Sequence, residues 1–187
     1  DELISEMIKN GAYLLKDPNQ IEKLTNLVTL ENGEPNKKYI GKDAAIILRD
    51  MGISVDDGIK DIIYEAPADH ITVVEEYLMP ILPIVRVKNV DEGIDMAVSI
   101  EGGRRHTAVI HSKNVDNMAR YAKAISTTIL VKNGSSFCGS GMGGEGYTTA
   151  SIAGPTGEGL TTPRTFTRQQ RCALIGEMCL RGAYKTK

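Results

Sequence analysis

Along the first fifty residues, apolar positions recur at the three- and four-residue spacing that is typical of amphipathic helices. This spacing predicts a helix that ends at Asn10-Gly11, a second helix that begins at Asp17-Pro18, and a third over residues 43–51. Asp17 can cap the second helix, and Pro18 suits its first position. The apolar faces of the first two helices comprise Leu3, Ile4, Met7, Ile8, Ile21, Leu24, Leu27 and Val28.

From residue 62 the pattern changes to short β-rich runs that alternate with helical segments. Strands are predicted at residues 62–64, 71–74, 84–87, 107–111 and 128–131. Helices are predicted at residues 89–100 and 114–125. Short links between strand, helix and strand require right-handed crossovers and a parallel sheet, so the predicted fold class is α/β.

After residue 132 the chain becomes rich in glycine as far as residue 159, which predicts long loops. A loop of this length inside a compact unit is usually functional. A mixed polar and apolar pattern then returns at Thr165 to Ile175 and predicts an extended segment.

Composition narrows the function classes. The 187 residues are 41% hydrophobic and 25% charged, and the formal net charge is −2 with no basic block, which argues against nucleic acid as a partner. No apolar run approaches the ~20 residues of a membrane helix, so no membrane partner is expected. The three cysteines and three scattered histidines show no metal-type pairing, so we expect no metal site and a reducing cytoplasm. The amino end has neither an initiator Met nor a signal pattern and is interpreted as a cut inside a longer chain.

Glu75 and Glu76 form the first candidate site, because they follow the strand predicted at residues 71–74. Ligands of open α/β sheets gather where strands end. On the residue pattern alone, however, two carboxylates that face solvent in a loop are the favoured interpretation. The glycine-rich run over 139–146 lacks the Lys-Ser/Thr ending of a phosphate loop and opens no predicted helix, which favours a flexible substrate-side loop.

Cys138 is a candidate nucleophile in a polar, glycine-flanked loop. A reactive thiolate needs a cationic neighbour or a helix amino terminus, and Lys132 is the nearest cation in sequence. The favoured interpretation is therefore a loop cysteine without a catalytic role. His106 and His111 flank a predicted strand; one of them could bind a ligand, but a structural role is the favoured interpretation.

Several segments together resemble the carboxy-terminal half of the aldehyde dehydrogenase superfamily. Residues 75–80, Glu-Glu-Tyr-Leu-Met-Pro, are similar to its Glu-Glu-(Ile/Leu)-Phe-Gly-Pro element. The resemblance narrows to the CoA-acylating propionaldehyde and acetaldehyde dehydrogenases of bacterial microcompartments, and it covers essentially the whole chain in order. Residues 105–114 carry this more specific resemblance, and residues 131–134, 143–146, 154–159 and 164–168 support it.

This resemblance implies the catalytic lobe of the aldehyde dehydrogenase fold, with a mostly parallel sheet, flanking helices and a carboxy-terminal oligomerisation strand. It implies that the whole enzyme oxidises a short-chain aldehyde to acyl-CoA with NAD+ and coenzyme A, through a thioester on a cysteine. That cysteine would precede Asp1, and the nucleotide-binding lobe would lie earlier still. No catalytic residue is therefore assigned here, and the chain alone is expected to be inactive.

The resemblance also implies individual roles. Glu76 matches the glutamate that binds the nicotinamide ribose, and Leu78 stands where many relatives place a Phe beside the nicotinamide. The loop with Asn133, Ser135 and Phe137 matches one that borders the aldehyde pocket, and Cys138 there replaces a small residue.

The implied organisation is a catalytic-domain fragment over 1–160 and an oligomerisation tail over 161–187, in a homo-oligomer. The implied location is the cytoplasm, including the interior of a bacterial microcompartment. Alternatives are a non-acylating or bifunctional aldehyde dehydrogenase half, or a non-catalytic binding or assembly module.

Overall fold

A computed structural model describes residues 1–144, 147–153, 159–173 and 175. The chain divides into two compact units. The first comprises Asp1–Gly103 and Asn114–Ser126, and the second comprises Arg104–Lys113 and the described residues from Thr127 onward.

The first unit contains three strands and six helices within its described residues. The strands are β1 (Ala12–Leu14), β2 (Asp61–Glu65) and β3 (Ile81–Ile84). The helices are α1 (Glu2–Lys9), α2 (Pro18–Val28), α3 (Ala44–Asp50), α4 (Ile71–Val74), α5 (Val90–Glu101) and α6 (Val115–Ile125). The strands form a parallel sheet in the order β1-β2-β3, with Tyr13 opposite Ile62 and Ile62 opposite Ile81.

The core of this unit lies on the central strand β2, whose Ile62, Ile63 and Tyr64 are inaccessible to solvent. Helices that cover a parallel sheet bury its central strand, so β2 is a continuous apolar run rather than an alternating one. The buried residues packed together are Leu15, Leu24, Val28, Tyr39, Ala44, Ile47, Leu48, Met51, Ile62, Tyr64, Tyr77 and Ile81.

Side-chain caps confirm where two predicted helices begin. The Asp17 carboxylate accepts a hydrogen bond from the Asn19 N–H at the start of α2 (3.0 Å). The Asn89 side chain accepts one from the Glu92 N–H at the start of α5 (2.9 Å), while Glu92 accepts from the Lys88 N–H (2.6 Å). These bonds satisfy backbone donors that have no partner within the helix.

The strand predicted at residues 71–74 is wrong, because this segment is the short helix α4. His70 caps it by accepting from the Thr72 N–H, and the Val74 N–H donates to the His70 carbonyl (3.2 Å). The Tyr64 hydroxyl also donates to Thr72 Oγ1 (2.7 Å) and holds the turn against β2. A run of four β-branched or apolar residues is too short for periodicity to distinguish strand from helix.

Two further strand predictions need correction. Strand β1 was not predicted, and β3 occupies Ile81–Ile84 rather than residues 84–87. The carbonyls of Pro80 and Ile84 both accept hydrogen bonds from the β2 side, so the nitrogen of Pro83 faces away from β2. Its missing N–H therefore breaks no hydrogen bond to β2.

The second unit contains a parallel pair, β4 (Thr107–Ile110) and β5 (Ile129–Lys132), with Val109 opposite Val131. It also contains an antiparallel pair, β6 (Ile152–Ala153) and β7 (Gly159–Leu160). Among the described residues of this unit, two 3-10 helices lie at Ser136–Ser140 and Pro163–Phe166.

The segment predicted to be extended from Thr165 onward begins within a 3-10 helix instead. Residues 163–166 form the second 3-10 helix, because Thr165 Oγ1 accepts from the Thr162 N–H (3.1 Å) and Pro163 suits the first helical position. Residues 167–173 belong to no helix or strand. Residue 174 and residues 176–187 lie outside the described residues. The boundary at residue 160 stays a prediction.

The longest described helix, α5, has 12 residues, against the ~20 that a bilayer requires. No helix among the described residues is both long and apolar enough to cross a membrane.

Candidate functional site

The segment that contains both candidate carboxylates, residues 75–80, follows α4 and leads into the first residue of β3. It therefore lies at the amino end of the parallel sheet, and the expectation that Glu75 and Glu76 follow a strand is wrong. Leu78 adopts a left-handed backbone conformation (φ 49°), which is costly for a residue with a branched side chain. Such a conformation persists only where the surrounding structure fixes it.

Tyr77 fixes this segment to the core. Its ring is buried, and its hydroxyl lies 2.7 Å from Thr29 Oγ1 in a hydrogen bond. Thr29 is the C-cap residue that directly follows α2. On the following residue, the Leu78 carbonyl accepts from the Gly41 N–H (3.2 Å). Glu76 is thus presented from a backbone that is anchored immediately after it.

The two carboxylates differ in their surroundings. Both are exposed, but Glu75 takes part in an interaction within the chain, whereas the Glu76 side chain has no hydrogen-bond or ion-pair partner among the described residues. A free carboxylate can accept hydrogen bonds from two hydroxyl groups at once. Of the pair, Glu76 is the one available to an external ligand.

A cleft of about 520 Å³ lies in the same part of the first unit. Glu75, Tyr77 and Leu78 contribute to its walls, together with the apolar side chains of β3. The Leu78 side chain is 65% exposed, so it offers an aliphatic rather than an aromatic surface.

The second candidate segment lies at the carboxyl ends of β4 and β5, where ligands of parallel sheets are usually bound. The Asn133 amide oxygen accepts from the Ser112 N–H (2.7 Å), and its amide nitrogen donates to the Ser112 carbonyl (2.9 Å). The Asn133 N–H donates to the Ile110 carbonyl (2.8 Å). Asn133 thereby joins the chain that leaves β4 to the chain that leaves β5.

The other two predicted pocket residues, Ser135 and Phe137, lie shortly after Asn133 in the chain. Ser135 caps the 3-10 helix Ser136–Ser140 by accepting from the Phe137 N–H (3.4 Å), and its carbonyl accepts from the Cys138 N–H (2.9 Å). The Phe137 ring is 63% exposed. The structure therefore places Asn133, Ser135 and Phe137 on one short loop at the end of β5, while their contact with an aldehyde stays a prediction.

Glycine packs this loop against β5. A Cβ atom at Gly139 would overlap Ile129 Cγ2, and one at Gly141 would lie 2.7 Å from the Thr148 Cα. Gly139 and Gly141 are therefore held close to neighbouring side chains and backbone, where larger residues do not fit, whereas a Cβ at Gly143 would meet nothing within 4 Å. Residues 145–146 and 154–158, which belong to two of the motifs, lie outside the described residues.

The remaining candidate residues are Cys138, His106 and His111. Cys138 is half-buried in the 3-10 helix. His106 and His111 are exposed on either side of β4, and His106 Nδ1 forms a hydrogen bond with Thr107 Oγ1 (2.7 Å).

Comparison with known proteins gives close relatives. The chain is 47% identical over 152 residues to the acetylating acetaldehyde dehydrogenase of Salmonella typhimurium, a match that covers 81% of this chain and 32% of that protein. It is 42% identical over 182 residues to the CoA-propanoylating propanal dehydrogenase of the same organism, covering 97% of this chain and 39% of that protein. The chain thus spans well under half the length of these relatives. No protein-family model matches it.

Solved structures agree with these relatives. The propionaldehyde dehydrogenase of Rhodopseudomonas palustris, solved with propionyl-CoA, is 50% identical with a TM-score of 0.89, over 93% of this chain and 38% of that one. An engineered glycolyl-CoA reductase solved with NADP+ gives the same identity and score, over 93% of this chain and 40% of that one. A propionaldehyde dehydrogenase from the Clostridium phytofermentans fucose-utilisation microcompartment is 48% identical with a TM-score of 0.86, over 96% of this chain and 41% of that one.

By sequence and by fold, this chain is a homologue of one part of the CoA-acylating aldehyde dehydrogenases.

Proposed function

We propose that this chain is the part of a CoA-acylating aldehyde dehydrogenase that contacts the nicotinamide ribose and forms one wall of the aldehyde pocket. The whole enzyme converts a short-chain aldehyde, CoA and NAD+ into acyl-CoA, NADH and a proton, through a thioester on a cysteine outside this chain. The observation that carries the proposal is the exposed, unpartnered Glu76 carboxylate beside the anchored Tyr77, in a chain homologous to these enzymes.

The residues around Glu76 suit a dinucleotide. The Glu76 carboxylate would accept hydrogen bonds from the two ribose hydroxyls, which are charge-assisted and stronger than neutral ones. Leu78 and the other apolar side chains that line the neighbouring cleft offer a surface to the uncharged parts of the nucleotide. When bound, the nicotinamide supplies the hydride acceptor of the reaction. The residues of this chain bind and orient it, and its position relative to the substrate determines the rate.

The loop at the end of β5 suits a small aldehyde. Phe137 presents an exposed aromatic ring, and Ser135 holds the turn that carries it. An apolar ring beside a small pocket selects substrates by the length of their apolar chain, at about 1–3 kcal/mol per methylene group. We therefore assign the loop with Asn133, Ser135 and Phe137 to the aldehyde pocket.

Coenzyme A is the second substrate in this proposal, since a homologous structure holds propionyl-CoA.

We also propose a homo-oligomer in which the segment after residue 160 pairs between subunits, and a cytoplasmic location that includes the interior of a microcompartment. A microcompartment is the source of one homologue. Light scattering of the full-length protein with and without residues 161–187 tests the pairing: a smaller oligomer is expected, and an unchanged mass contradicts it.

The reaction itself is tested by incubating the full-length protein with propionaldehyde, NAD+ and CoA. We expect propionyl-CoA and NADH in equal amounts, and no NADH beyond background when CoA is omitted. Formation of propionate at the same rate without CoA would identify a non-acylating aldehyde dehydrogenase. Absence of NADH under all conditions would favour the alternative that the protein is a non-catalytic binding or assembly module.

A further inference from the structure

The Asn133 side chain links β4 and β5 beyond the last paired residues, Ile110 and Lys132. In a parallel pair, alternate residues of one strand donate through the N–H to one residue of the other strand and accept at the C=O from another. The Asn133 side-chain amide instead makes both of its bonds to one residue, donating to the Ser112 carbonyl (2.9 Å) and accepting from the Ser112 N–H (2.7 Å). A side-chain amide thus replaces a backbone amide as the final link between the two strands.

The backbone of Asn133 meanwhile turns sharply at the end of β5. Its φ of 56° lies in the left-handed region, which Asn tolerates better than other residues that have a side chain. The chain therefore leaves β5 sharply and enters the 3-10 helix that starts after Ser135. Gly139 then packs directly against Ile129 and returns the loop to the strand that it left.

Because both polar ends of the Asn133 amide are bound to Ser112, this side chain is occupied by a structural link and is poorly placed to contact the aldehyde. We infer that Asn133 is a positioning residue, which fixes the Ser135–Phe137 loop relative to β4 and thereby sets the aldehyde affinity and chain-length preference of the enzyme. This inference rests on the proposed function, because it takes the loop as a wall of the aldehyde pocket.

Two substitutions separate the side-chain link from the backbone turn. Asn133→Gly keeps the left-handed turn available and removes both hydrogen bonds to Ser112. Asn133→Asp keeps the acceptor for the Ser112 N–H but places a carboxylate oxygen against the Ser112 carbonyl. Lys113→Ala is the matched control, since it alters an exposed side chain next to Ser112 and leaves the Ser112 peptide groups intact.

The first measurement is hydrogen exchange of the Ser112 amide in the full-length protein. We expect Asn133→Gly to accelerate it at least about tenfold, while Lys113→Ala leaves it unchanged. Equal exchange in the wild type and Asn133→Gly would overturn the link between the two strands.

The second measurement is steady-state kinetics with acetaldehyde, propionaldehyde and a longer aldehyde. Displacement of a pocket wall by about 1 Å costs on the order of a hundredfold, so we expect both Asn133 variants to lose about tenfold to a hundredfold in kcat/KM for the aldehyde. Their ranking of the three aldehydes should change, while KM for NAD+ stays within about twofold. An active wild type whose Asn133 variants keep the same aldehyde kinetics would overturn this inference and leave the proposed function intact. An inactive wild type would overturn the proposed function instead, and with it the kinetic part of this inference. The hydrogen-exchange measurement would still decide whether the Asn133 side chain links β5 to Ser112.

Discussion

The hydroxyl of Tyr77 and the hydroxyl of Thr29 lie 2.7 Å apart, although the two residues are separated by 48 positions in the chain. Tyr77 is buried in the core of the first unit, and Thr29 is the C-cap residue that directly follows the helix α2. The bond therefore connects the candidate nucleotide contact, Glu76, to a helix that begins far earlier in the sequence. A carboxylate on an exposed loop is useful for orienting a ligand only if its backbone is held in this way.

Tyr77→Phe removes this bond and keeps the ring in the core. We expect the free energy of unfolding to fall by about 1 kcal/mol, because the hydroxyl of the partly buried Thr29 loses its partner. KM for NAD+ should rise a few-fold, because the segment that carries Glu76 becomes less fixed. Tyr147→Phe is the matched control, since Tyr147 is 70% exposed and should change stability by less than about 0.5 kcal/mol. Indistinguishable unfolding curves for the two variants would contradict the anchoring role.

Gly139→Ala should destabilise the second unit. The new methyl group would overlap Ile129 Cγ2, and overpacking of this kind costs about 1–3 kcal/mol. Gly93→Ala is the comparison, because Gly93 lies within α5 and a Cβ there meets Val87 at an ordinary 3.4 Å. That substitution should instead stabilise the protein by up to about 1 kcal/mol. Thermal unfolding of both variants checks the opposite signs, and a shared sign would refute the close packing at Gly139.

Titration of the Tyr64 hydroxyl should make the free energy of unfolding depend on pH. Burial in the core raises the pKa of its hydroxyl from 10.0 to about 12. Above pH 10 the unfolded chain can release this proton while the folded chain retains it, so stability is full below pH 10 and falls as the pH approaches 12. The loss amounts to about 2–3 kcal/mol. Unfolding free energies of the wild type and Tyr64→Phe should converge over this range, and a constant difference between them would show that the hydroxyl does not titrate as expected.

The isolated 187-residue chain should form no NADH from aldehyde, CoA and NAD+. It spans only 32% to 39% of its enzyme relatives, and Cys138 is half-buried in a packed turn. In the full-length protein, Cys138→Ser should retain most of the activity. NADH formation by the isolated chain that disappears in Cys138→Ser would make Cys138 the nucleophile.

Helix starts could be predicted from the sequence because their signals are local. Asn89 and Asp17 bond to backbone donors within three residues, so the printed sequence contains the whole interaction. Strand β1 could not be found in this way, since its three residues are identified only by pairing with β2, almost fifty positions later.

The candidate site was only partly predictable for the same reason. The motif that resembles the aldehyde dehydrogenases pointed to Glu76 without its anchor, because Tyr77 and Thr29 meet only in the folded core. The link between Asn133 and Ser112 likewise joins the ends of two strands. An Asn directly after a β-rich run and before a glycine was its only local signal.

The central claim is tested most directly by the kinetics of Glu76→Gln in the full-length protein, with Glu75→Gln as the matched control. Glutamine is close in size to glutamate, but it removes the charge of the ribose acceptor and replaces one of its two acceptor oxygens with an NH2 donor. Charge-assisted hydrogen bonds are worth about 1.5–3 kcal/mol. We therefore expect kcat/KM for NAD+ to fall about tenfold to a hundredfold in Glu76→Gln, with an unchanged melting temperature. Glu75→Gln should stay within about twofold of the wild type. Near-normal kinetics in Glu76→Gln, whether or not Glu75→Gln is impaired, would contradict the assignment of Glu76 to the nucleotide.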